Sequence, residues 1–193
     1  YTRTQMALSQ GADLVFELPT VYTLSSAEHF AFGGISLLNA LHMDSVCFGC
    51  ETPSLPLLDS AAELLQKEPD DYRQTLQQHL KSGASYPAAR EAALRQSMPE
   101  LPPDFLSGAN NILALEYLKA LRSTHSTMTP VPILRTDSGY HSTELSGGTF
   151  SSASAIRFSY KDTDSLNDIS HALPEEIMTL LKKRSGHLGM NTA

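Results

Sequence analysis

The string Ser151-Ser152-Ala153-Ser154-Ala155-Ile156-Arg157 holds the residue types in this chain best suited to gripping an anion. Hydroxyls gathered at a helix start bring unpaired backbone N–H groups, side-chain donors and the positive end of the helix dipole to one point. Arg157, on the same first turns, adds a guanidinium fork that matches phosphate oxygens in pairs. The plain alternative is an N-cap serine on an ordinary surface helix. Arg135 closes a short apolar segment and precedes a Gly/Ser/Thr-rich stretch, so it is expected at the C-terminal edge of a sheet beside the same pocket, or else as a solvated strand-end arginine. Gly49 either lets the backbone approach a ligand or marks a turn. Asn110 or Asn111 either hydrogen-bonds a base or ribose or caps a helix.

Other chemistries are less well supported. His29, near a helix start, and His141, after Gly139-Tyr140, both suit acid–base work, although a surface or partly packed histidine is the commoner case. No Ser/His/Asp arrangement and no Walker-type loop is legible, so hydrolase and P-loop readings fall away. Cys47 and Cys50 form a lone C-x-x-C. A structural zinc site takes four ligands, and His42 would supply only a third, so two reduced thiols near a strand end are expected and no metal site.

These residues need a scaffold to bring them together. Ala12 to Leu18, a mostly apolar run entered after Gly11 and closed by Pro19, is expected to be a buried parallel strand. Thr2 to Gln10 before it reads as the end of a helix stopped by Gly11. Ser25-Ser26-Ala27-Glu28 has capping-box spacing ahead of Phe30, Ile35, Leu37, Leu38 and Leu41, and Ser45 to Gly49 reads as another strand. The alternation of helix, strand, helix, strand predicts a doubly wound α/β sheet that collects ligands at the C-terminal ends of its strands. Segments Leu57 to Lys67, Asp71 to Lys81 and Tyr86 to Gln96 predict a helical insertion on that sheet. Asn110 to Leu121 is an amphipathic helix with an Asn suited to its N-cap, and Val131 to Arg135 a third strand that tolerates Pro132 only near its beginning or at a sheet edge. Thr136 to Phe150 is expected to be a loop, Ser151 to open a helix, and Pro174 to Lys183 to form a last helix with proline in its first turn.

The 193 residues include 14 Lys plus Arg and 21 Asp plus Glu, a formal charge of −7. That acidity makes a poor docking surface for a polyanion, because such affinity comes largely from Lys and Arg displacing counterions. Any nucleic-acid surface is therefore expected elsewhere. The chain suffices for one compact core, and no apolar run approaches the roughly 20 residues of a membrane helix. A soluble, cytoplasmic protein is the expectation.

The strings Arg3-Thr4-Gln5-Met6-Ala7-Leu8, Gly11 to Pro19, Ser26-Ala27-Glu28 with Phe30-Ala31, Phe48-Gly49-Cys50-Glu51, Asn110-Asn111-Ile112-Leu113 and Ser151 to Arg157 stand in one order. In this they resemble the tRNA(Met) cytidine acetate ligases, from Tyr1 to about Arg157. The resemblance implies a Rossmann-like nucleotidylyltransferase sheet, incomplete at its N-terminus, over residues 1–160, with a helical insertion at about 55–105 and the start of a C-terminal helical region at 161–193. It implies ATP as substrate together with Mg2+, acetate activated as acetyl-adenylate, and transfer to the wobble cytidine of elongator tRNA(Met). By motif it places nucleotide contacts at Gly49, Asn110 or Asn111, and Arg135, with Ser152, Ser154 and Arg157 on the phosphate-side helix. Two family features are not found in this sequence: a strand and loop of the type E-Y-N-P-F-H-N-G-H, and a later glutamine-arginine-glycine stretch. Residues 1–193 are therefore expected to be inactive by themselves, with tRNA bound mainly by other regions. Ala109 stands where the family pattern has proline. The alternatives are a nucleotidylyltransferase acting on a small metabolite and a non-catalytic nucleotide-binding or interaction module.

Overall fold

The computed structural model describes residues 2–103, 105–135, 151, 153–163 and 165–188. In chain order the elements are α1 Thr2–Ser9, α2 Thr20–Thr23, α3 Ala27–Ala40, β1 Ser45–Cys50, α4 Leu55–Lys67, α5 Asp70–Lys81, α6 Tyr86–Ser97, α7 Ala109–Ser123, β2 Thr129–Leu134, α8 Ala153–Thr163, a 3-10 turn Ser170–Ala172 and α9 Glu175–Leu188. They form two compact units, Leu18–Arg135 and Tyr1–Glu17 with Thr136–Ala193. The expected division between residues 160 and 161 falls inside α8.

In the first unit β1 and β2 run parallel, with Ser45 opposite Thr129 and Cys50 opposite Leu134. Val46, Phe48 and Cys50 point into the core while Ser45, Cys47 and Gly49 face outward, the two-residue alternation of a strand covered on one face. The N–H of Thr129 donates to the Asp44 carbonyl at 2.9 Å and that of Arg135 to the Cys50 carbonyl at 3.0 Å. Odd-numbered N–H groups of β2 therefore face β1. Pro130 and Pro132, which have no N–H, turn their nitrogens to the other side, so that side of β2 is built as a sheet edge.

Helix α7 is the centre of this unit, packed against α3, α4 and β1. Its Leu115 and Leu118 meet Phe48, Ile35 of α3 and Leu58 of α4 in one core, and fully buried alanines, Ala31, Ala61 and Ala62, let the helices approach closely. Each fully buried leucine contributes about 2 kcal/mol of transfer free energy. Helices α4, α5 and α6 occupy the segment where a helical insertion is expected, and Tyr72 of α5 and Leu94 of α6 join the same core. Helix α2 docks on α3 through Gly33, where any Cβ would run into the Tyr22 ring.

Three local expectations are corrected. Residues 12–18 form no strand: a strand needs ladder partners as well as apolar content, among the described residues this run has none, and Leu14, Val15 and Phe16 are exposed. Helix α3 is capped by Ser26, whose Oγ accepts from the His29 N–H at 3.5 Å, so the pairing starts one residue later than Ser25 and its third position is histidine, not Glu28. Helix α7 has Gly108, not an asparagine, at its N-cap.

In the second unit α1 packs on α9, and Gln10 Nε2 donates to Glu176 Oε2 at 3.3 Å. The unit holds an apolar cavity of about 650 Å3 lined by Met6, Ile156, Tyr160, Ile169, Ile177 and Leu181. Pro174 stands just before α9, which continues past Lys183 to Leu188. Among the described residues no helix is long and apolar enough to cross a membrane.

Candidate functional site

The C-terminal ends of β1 and β2 meet the N-terminus of α7, and that junction gathers Gly49, Arg135, Asn110 and Asn111. Cys50 and Leu134 are register partners, so the residues that follow them, Glu51 and Arg135, leave the sheet side by side. Helix α7 begins with Gly108-Ala109-Asn110-Asn111, and no side chain of its own accepts from its first N–H groups. Glu51 does so instead. Its Oε1 accepts from the Asn110 N–H at 3.2 Å and its Oε2 from the Asn111 N–H at 2.6 Å, which places a carboxylate on the positive end of the helix. Gly108 makes the approach possible: a Cβ there would lie 2.6 Å from Glu51 Oε2. Burial would push the Glu51 carboxyl up, but hydrogen bonds from the Asn110 amide and from backbone N–H groups, that of Asn111 foremost, outweigh it and hold the group below its usual range.

The two asparagines divide the work. Asn111 is buried, and its Oδ1 accepts from the N–H groups of Glu51 at 3.1 Å and Thr52 at 3.0 Å while its Nδ2 donates to the Phe105 carbonyl at 3.0 Å and Thr52 Oγ1 at 3.1 Å. Every polar position of that amide is used within the protein, pinning the β1–α4 connection to α7. Asn110 is half-buried, and its Nδ2 donates to Glu51 Oε1 at 2.7 Å while its Oδ1 accepts from Arg135 Nη1 at 3.0 Å. Arg135 reaches this position across Gly49, where a Cβ would stand 3.2 Å from the Arg135 Cγ. Gly49 is thus the place where the arginine stem crosses β1.

The structure therefore brings Gly49, Asn110, Asn111 and Arg135 to one end of the sheet. Ser154 and Arg157 belong to the other unit, on α8, with Ser154 half-buried and Arg157 exposed at the rim of the apolar cavity. Ser152 and His141 lie outside the described residues. His29 is exposed, with Nδ1 3.0 Å from Ser26 Oγ. Cys47 and Cys50 are free thiols on opposite faces of β1; burial, reinforced by the Glu51 charge, pushes the Cys50 thiol up, away from the thiolate a metal would need. Among the described residues no group of three or more His, Cys, Asp or Glu is placed to hold a metal ion. Glu51 and Gly108 were missed as contributors; the paired asparagines offered a local cap, and glycine at the actual N-cap has no side chain to accept from the first N–H groups.

A parallel pair of strands with polar residues collected at their C-terminal ends and a helix N-terminus beside them is the arrangement α/β nucleotide-handling proteins use. A family model described as HIGH Nucleotidyl Transferase matches residues 1–192, and the chain belongs to that family. Among curated relatives, it is 40% identical over 184 residues to the tRNA(Met) cytidine acetate ligase of Clostridium novyi (strain NT), covering 94% of this chain and 46% of that protein. It is 41% identical over 194 residues to the ligase of the same name from Clostridium perfringens (strain SM101 / Type A), covering 96% and 48%. The chain thus spans about half the length of the curated relatives it matches. Its fold matches the crystal structure of Thermotoga maritima TmcAL in the apo form, with TM-score 0.86, 32% identity, and 96% of this chain and 45% of that one covered. A second Thermotoga maritima TmcAL structure, bound with alpha-thio ATP, matches with TM-score 0.81 and 31% identity, covering 96% and 44%.

Proposed function

We propose that this chain is the nucleotide-holding part of an ATP-dependent ligase that acetylates the wobble cytidine of elongator tRNA(Met) in the cytoplasm. The observation that carries this reading is the Gly49–Arg135–Asn110 cluster at the strand ends, in a chain whose fold matches a protein crystallised with an ATP analogue. In the proposed reaction an acetate oxygen attacks the α-phosphorus of ATP, the bond to the β-phosphate breaks and pyrophosphate leaves. The cytidine exocyclic amine then attacks the acetyl carbonyl, loses a proton, and AMP departs.

The residues here bind and orient. Arg135 and Asn110 hold the nucleotide at the strand ends, Gly49 keeps its approach open, and Asn111 fixes the loop from which Glu51 reaches α7. Mg2+ fits as a counter-ion carried in on the triphosphate, since it is usually held by phosphate and water oxygens with one or two carboxylates rather than by a dedicated protein cage. The test is acetate-dependent exchange of pyrophosphate into ATP by the full-length protein. Exchange with acetate, reduced about tenfold or more in Arg135→Ala, is the expected result. Exchange that requires a different acid rejects the ligase reading in favour of a nucleotidylyltransferase for another metabolite.

A further inference from the structure

Glu51, Asn110 and Arg135 form a hydrogen-bonded row in which each member's direction of donation is forced by its neighbour. A carboxylate only accepts and a guanidinium only donates, whereas a side-chain amide presents an NH2 at one end and an oxygen at the other. With Glu51 on one side and Arg135 on the other, only one amide orientation satisfies both contacts: Nδ2 to Glu51 Oε1 at 2.7 Å and Oδ1 to Arg135 Nη1 at 3.0 Å. The flipped amide would set NH2 against guanidinium and oxygen against carboxylate. Glu51 is itself held by the two α7 N–H groups and by the missing Cβ of Gly108.

We propose that Glu51 is a positioning residue which, by fixing the Asn110 amide, holds the Arg135 guanidinium in place over Gly49 for the nucleotide. This rests on the nucleotide-site reading above. A helix cap alone would account for Glu51 contacting two N–H groups; it would not account for the third contact, to the Asn110 side chain that in turn accepts from Arg135. Glu51 also places a negative charge on the α7 N-terminus, which closes that end of the helix to phosphate.

The test uses Glu51→Gln in the full-length protein. Glutamine keeps an acceptor oxygen for α7, but its own NH2 disrupts the forced order of the row. Two quantities are measured: the rotational averaging of the Arg135 guanidinium 15N–1H signals without ligand, and ATP affinity by calorimetry. Glu51→Gln is expected to speed the rotation of the guanidinium and to weaken ATP binding about tenfold, the scale of one charge-assisted hydrogen bond. In an Arg135→Ala background it should cost clearly less affinity than in the wild-type background, the remainder being what Asn110 itself loses. Unchanged guanidinium signals, or losses from the two substitutions that simply add, overturn the proposal. If Arg135→Ala leaves ATP affinity intact, the nucleotide-site reading fails, and the guanidinium signals still decide whether Glu51 positions Arg135. Gly108→Ala, which crowds the Glu51 carboxylate from the other side, should reproduce the effect if the glutamine variant folds poorly.

Discussion

Replacing Asn111 with alanine should be among the most damaging single polar substitutions in the Leu18–Arg135 unit. Its side chain is 2% exposed, and its amide makes four hydrogen bonds that tie Glu51, Thr52 and Phe105 to the first turn of α7. Alanine strands two backbone donors and one backbone carbonyl. A buried group left unsatisfied costs about 1–3 kcal/mol, and because Glu51 and Thr52 are near the surface, water relieves part of that. A net loss of about 3 kcal/mol follows, equal to roughly 6–12 °C in melting temperature for a chain of this size. Asn110→Ala, one position earlier, breaks only half-exposed contacts and should cost about 1 kcal/mol or less. Thermal melts of the wild type and both variants, followed by circular dichroism, measure the contrast. A melting point for Asn111→Ala within about 3 °C of wild type, or equal to that of Asn110→Ala, refutes the anchoring argument.

Acid should weaken the same junction. The Glu51 carboxyl lies below its usual value in the folded chain, so the unfolded state binds the proton more tightly, and the stabilisation is complete above the unfolded pKa and is lost as pH falls through the folded one. Melting temperature followed from neutral pH downward should fall less in Glu51→Gln than in wild type; identical slopes count against it. Gly33→Ala should push Tyr22, and with it α2, off α3. Limited proteolysis should then cut within residues 18–26 faster than in wild type, and an unchanged digestion pattern argues against the α2–α3 contact.

Much of the scaffold was legible because its signals are local. The apolar spacing of α3, α4 and α7, the stops at Pro69 and Ser82-Gly83, and the β1 and β2 segments depend on residues close in sequence, and each lies within a residue or two of its expected place. The run at 12–18 misled because composition reports only that a segment is apolar. Whether it becomes a strand depends on ladder partners, which sequence does not display.

The misplaced caps at α3 and α7 have different causes, and the difference explains why the site was only half visible. At α3 the cap is still a serine next to the helix, and the error is one residue of register. At α7 the cap is a glutamate 59 and 60 residues before the two N–H groups it accepts from, delivered by the end of β1, so no local rule finds it. Once Glu51 satisfies the α7 N-terminus, neither asparagine is needed as a cap. Asn111 is left to pin the loop that carries Glu51, and Asn110 to pass its orientation on to Arg135. The two readings of the paired asparagines, cap or contact, were open in the sequence because the residue that decides between them is remote. Gly49 was open for the same reason: its meaning, a path for the Arg135 stem, appears only when β2 lies in register beside β1.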